Sequence, residues 1–63
     1  MSDRTDAADS LSAVSDELAG IAEILFIMYE RDFLQGLPAD HLLVLSKLIE
    51  RYSSKISGVA KEL

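Results

Sequence analysis

Apolar residues recur at alternating spacings of three and four along two stretches of the chain. The first is Leu11, Val14, Leu18, Ile21, Leu25 and Met28; the second is Leu42, Leu45, Ile49, Tyr52, Ile56, Val59 and Leu63. That period is the mark of helices packing along a stripe, and the Gly36-Leu37-Pro38 break between them falls where a helical hairpin turns. The pattern predicts an all-α fold, a two-helix antiparallel hairpin, with helix one over about 10–35, a turn at 36–37 and helix two over 38–62. Ser10 or Ser12 is placed to cap the first helix, with Asp16 and Glu17 near its positive end. Gly36 is suited to close it in a left-handed conformation, and Pro38 has the fixed torsion favoured at a first helical position. Asp40 in the first turn of helix two and Lys61 in its last agree with the helix dipole.

Folding the chain back at Gly36 pairs Met28 with Leu45, Leu25 with Ile49, Ile21 with Tyr52, Leu18 with Ile56, Val14 with Val59 and Leu11 with Leu63. This register assigns the two stripes to each other as the interhelix core. Beside that core, Ser15, Ala22, Ser46, Ser53 and Ala60 form a flank small enough for close helix approach. Glu17 and Lys55 pair on the opposite flank.

The paired stripes leave apolar side chains over. Ile24, Ile27, Leu34, Val44 and Leu48 project to one side, and Ala19, Ala22, Phe26, Tyr29, Phe33 and Leu43 to the other, with only the outermost line (Glu23, Glu30, Asp40, Lys47, Ser54, Lys61) consistently polar. Exposed apolar surface of this kind marks an interaction site. The candidate oligomer or partner interface is therefore Ile24, Phe26, Ile27, Tyr29, Phe33, Leu34, Leu43, Val44 and Leu48. Phe26, Phe33, Ile27 and Val44 are the positions expected to line a homodimer.

Size points the same way. A chain of 63 residues has room for one domain and a small core. With no cysteine and a single histidine, His41, neither disulfides nor a structural zinc site can staple it. Self-association or partner binding remains, and dimerisation into a four-helix bundle is the expected solution. Residues 1–9 read as a disordered acidic tail without the basic start or apolar core of a secretory signal. The longest apolar run, Ile24 to Tyr29, is six residues, against the roughly 20 that a membrane-spanning helix needs. A cytoplasmic protein with no membrane partner is the expectation.

No chemistry stands out. His41 beside Asp40 lacks a nucleophile at useful spacing, Asp32 reads as a cap for helix two or as the end of the core, and Ser46, Ser53, Ser54 and Ser57 lack the turn context of a nucleophile. The charged run Glu30-Arg31-Asp32 reads as a solvated helix end, and Phe26, Tyr29 and Phe33 as core or interface rather than a base-stacking platform. The reading is a non-enzyme with no catalytic residue, metal or cofactor. Residues 1–37 carry eight acids and two bases, residues 38–63 three acids and four bases. Nucleic acid is disfavoured by that acidic half, and the cations Lys47, Arg51, Lys55 and Lys61 are interrupted by Glu50 and Glu62.

In size and layout the chain resembles the plasmid copy-number regulator Rop, a short helical hairpin that dimerises into a four-helix bundle and binds RNA hairpins. The resemblance is one of architecture, since no functional motif of that family matches residue by residue. It implies a homodimer and, as an alternative function, a nucleic-acid-binding regulator using helix two. A second alternative is an acidic nucleic-acid mimic that occupies a basic protein, with Asp3, Asp6, Asp9, Asp16, Glu17 and Glu23 as its charges. The leading expectation is a small bacterial or phage-type regulator or adaptor that self-associates and binds another protein.

Overall fold

A computed structural model describes residues 3–63 as two helices, α1 (Asp3–Leu34, 32 residues) and α2 (Asp40–Glu62, 23 residues), packed antiparallel against each other. The first helix starts at Asp3, so residues 3–9 are helical where the sequence suggested a disordered tail; Met1 and Ser2 lie outside the described residues. The physical reason lies in the local sequence. No glycine or proline interrupts 3–19, Ala7 and Ala8 have high helix propensity, and Asp3 and Asp6 sit in the first turn where the dipole favours them. Ser10 and Ser12 are accordingly interior, exposed helix positions rather than caps.

The first helix ends as its glycine predicts. Gly36 has φ 74°, the Leu37 amide donates to the Asp32 carbonyl at 2.9 Å and the Gly36 amide to the Phe33 carbonyl at 3.1 Å. This pair of bonds is the Schellman motif, which satisfies carbonyls that the helix end leaves open. The second helix begins two residues later than expected: Ala39, with φ −137°, precedes its first turn, and no side chain caps it. Asp32 therefore does not cap α2; its carboxylate accepts from the Arg31 guanidinium at 3.4 Å.

The helices meet through a different stripe from the one the apolar period suggested. Ser15 and Ala22 are the buried residues of α1, and Leu42, Ser46, Ser53 and Ala60 those of α2, joined by Ala39 just before it. Small residues recur every seven positions on both helices, Ala8, Ser15, Ala22 and Ala39, Ser46, Ser53, Ala60. Three hydroxyls bond across the contact. Ser53 donates to the Ser15 carbonyl at 2.8 Å, Ser15 to the Ser53 carbonyl at 2.9 Å, and Ser46 to the Ala22 carbonyl at 2.9 Å. A carbonyl already bonded within its helix keeps a second lone pair for such a donor. Each buried hydroxyl is thereby satisfied while the backbones approach closely. The Cα envelope is a slender 52 × 13 × 11 Å, and hydroxyl-to-carbonyl bonds of 2.8–2.9 Å across the contact put the axes at the short end of the usual range, about 8 Å.

These bonds also set the register. Ser15 lies level with Ser53 and Ala22 with Ser46, so each residue of α1 is offset by five or six positions, about 8–9 Å, from the partner that a symmetric fold at Gly36 assigns. Leu25 does not face Ile49, nor Met28 Leu45. The cause is the connection: residues 35–39 run back alongside the last turns of α1, which overhang the start of α2.

Two outcomes follow for stability, both read by urea denaturation at fixed protein concentration. Ser53→Ala keeps the small volume and loses one interhelix bond, at a cost of about 1 kcal/mol, whereas Ser53→Leu forces the backbones apart and costs more, about 1–3 kcal/mol beyond that. Gly36→Ala, at positive φ, costs about 1–2 kcal/mol; a wild-type midpoint for Gly36→Ala would show that the left-handed turn is not formed.

Candidate functional site

Packing through small residues turns the large ones outward. Relative to the line Ala8, Ser15, Ala22, positions three residues later and one residue earlier are rotated about 60° and 100° to the same side. In an antiparallel pair, equal rotations on the two helices face the same side of the hairpin. Leu11, Leu18, Leu25, Val14, Ile21 and Met28 of α1 therefore share one face with Leu42, Leu45, Ile49, Tyr52, Ile56 and Val59 of α2. These are the stripes that the sequence pairs with each other as a core. In the structure they lie side by side. Leu11, Leu18, Leu25, Leu42, Ile49 and Ile56 are buried or half-buried, and Val14, Ile21, Met28, Leu45, Tyr52 and Val59 are exposed by 36–51%. No charged residue interrupts these twelve positions. Asp32 ends the α1 side of the face at the loop, half-buried.

The nine residues singled out from the sequence divide among three places. Ile24 and Leu48 border the twelve-residue face, both exposed. Ile27, Leu34 and Val44 lie on the outer side near the loop, at 58, 84 and 63% exposure, and so do not share a surface with Phe26 and Phe33. Phe26, Phe33 and Leu43 lie on the flank opposite the face, with half-buried Tyr29 on the small-residue line between the helices. The three rings form a ladder, Phe26 to Tyr29 and Tyr29 to Phe33, each with centroids 5.9 Å apart. The division of Ile27 and Val44 from Phe26 and Phe33 follows the two sides that the sequence assigns them.

On that same flank an open cleft of about 340 Å³ is lined by Ala19, Ala22, Glu23, Phe26 and Glu50. Its floor is small because α1 places Ala19 and Ala22 there, and its lips carry one carboxylate from each helix, Glu23 and Glu50.

Ser15, Ser46 and Ser53, which the sequence places on a small flank beside the core, form the contact line itself. Their signal was present as the strict seven-residue recurrence of alanine and serine on both helices. The buried hydroxyls are used in helix packing, His41 and Asp40 are exposed, and among the described residues no three histidines or carboxylates are grouped to hold a metal. No helix among the described residues is long and apolar enough to cross a membrane. Compared with protein-family models, curated proteins and solved structures, the chain gives no match.

Proposed function

We propose that this chain is a non-enzymatic interaction module that self-associates face to face into a homodimeric four-helix bundle and in that form binds another protein. The observation that carries the reading is the twelve-residue uncharged face. A symmetric pairing needs a self-complementary patch, and a flat apolar face shared by two antiparallel helices is one. The surface area supports it independently. The hairpin exposes 4818 Å² for 6.9 kDa, whereas a folded monomer of that mass exposes about 4000 Å². The excess, about 800 Å², matches what one partner contributes to a standard protein interface. The shape agrees, since a radius of gyration of 14.9 Å exceeds the about 10.6 Å of a compact domain this long. Stacking two rods broadens the narrow direction and gives the leucine and isoleucine side chains a closed core.

The nucleic-acid alternative has less behind it. Lys47, Arg51, Lys55 and Lys61 fan over roughly 100° of the α2 surface instead of forming a stripe, and phosphate tracking wants cations in line.

Sedimentation equilibrium at micromolar concentration is expected to give twice the chain mass. Ile21→Asp or Leu45→Asp places an unpaired carboxylate in the interface and is expected to lose both assembly and most helicity. Ile27→Asp, on the outer side, is expected to keep both. A folded species of 6.9 kDa, or Ile21→Asp at the wild-type mass, contradicts the reading.

A further inference from the structure

The flank with the cleft has a charge pattern as regular as the apolar one on the other side. Asp9, Asp16, Glu23 and Glu30 recur every seven residues, rotated about 100° from the packing line and spaced about 10.5 Å apart along α1. All four are exposed. Of the four, Glu23 lines the cleft itself, a short trough with Ala19 and Ala22 as its floor, Phe26 as a wall and Glu50 on the far lip; the other three continue its line along α1 beyond the cleft. We propose that this trough binds an amphipathic helix of a partner protein, its apolar stripe on Ala19, Ala22 and Phe26 and a cationic side chain every two turns opposite the acidic row. The proposal rests on the self-association reading, in which the second copy covers the opposite face and leaves this one open.

Three features select that occupant. Seven-residue spacing on α1 is matched in register by seven-residue spacing on another helix, whereas the roughly 3.3 Å rise of a strand meets it only irregularly. The small floor lets a third backbone come close, and the Phe26 ring beside Glu23 offers both faces of a guanidinium site, an aromatic surface and a carboxylate. Charge weighs against the rivals. A second copy set with α1 on α1 would oppose one acidic row with another, and a nucleic acid would meet the same carboxylates with its phosphates. The α2 rim is mixed, with Lys47 and Lys61 beside Asp40 and Glu50, so the unbroken acidic row of α1 is what draws the cationic edge of the bound helix to its own side of the trough.

The test uses a fluorescein-labelled 22-residue amphipathic peptide with an alanine-leucine stripe and arginine at every seventh position. A matched peptide carries glutamate at those positions. Titration with the full chain at physiological salt, followed by anisotropy, is expected to show saturable binding of the arginine peptide at one per hairpin and none of the glutamate peptide. Asp16→Lys with Glu23→Lys is expected to weaken binding by about tenfold or more, and Ala19→Trp, which fills the cleft without changing charge, by a similar factor. Glu17→Lys with Glu62→Lys makes the same change in net charge away from the trough and is expected to stay within about twofold of wild type. Equal losses in the two double variants, wild-type binding by Ala19→Trp, indifference to the peptide's charge, absence of binding, or tighter binding of an RNA hairpin each overturn the proposal. Sedimentation of the same samples separates the two claims: a monomeric mass counts against self-association alone, while the ratio between the variant pairs judges the trough.

Discussion

The structure depends on how closely the two backbones approach. A seven-residue recurrence of alanine and serine on both helices brings the axes to about 8 Å, and the serine hydroxyls, each donating to a carbonyl of the opposite helix, make that approach compatible with buried polar atoms. Everything else is a consequence of that choice of contact line. Where Ser15 and Ala22 meet Ser53 and Ser46 the gap is too narrow for large side chains, so the two heptad stripes are turned to one side of the pair. The hairpin thereby gains a packed contact and no closed hydrophobic core, with no large side chain fully buried among the described residues.

Such an arrangement separates two tasks that larger domains combine. The line between helices fixes register and direction; the apolar face, on the proposed reading, supplies the burial that a short chain lacks. Folding and assembly then become linked, and the stability of the hairpin depends on its concentration. The flank away from that face is left free of structural duty. Its small floor is a by-product of the same alanine and serine recurrence, and the acidic row beside it gives the molecule a second, chemically distinct side.

Fold class, the direction of the hairpin and the glycine that closes α1 were legible in the sequence because they rest on local chemistry: heptad spacing, a single Gly-Leu-Pro break and a residue that tolerates positive φ. The contact line was not. Apolar periodicity identifies which residues avoid water without saying what they meet, so Leu25 and Ile49 read as partners when both belong to an outward face. Ser15, Ser46 and Ser53 carried the missing information, but a serine on a helix is ambiguous until its carbonyl acceptor on the neighbouring helix is known. Register is hidden for a related reason. The heptad stripes fit a symmetric turn, whereas the back-running residues 35–39 displace α2 by five or six positions. Among the candidate interface residues, membership of the apolar excess was legible; the side of the rod each occupies depended on the rotation of the helices about the small-residue line.

Disulfide trapping in this cysteine-free chain tests the contact line and the register together. Ser15→Cys with Ser53→Cys places two thiols on level, closely apposed positions, while Leu25→Cys with Ile49→Cys places them about 9 Å out of level along the axis, beyond the reach of a disulfide. Under mild oxidation at low protein concentration, the Ser15→Cys, Ser53→Cys variant is predicted to form an intrachain bond rapidly and in high yield, and the Leu25→Cys, Ile49→Cys variant to form none within a chain. Efficient intrachain bonding in the Leu25→Cys, Ile49→Cys variant, with none in the Ser15→Cys, Ser53→Cys variant, would contradict the account.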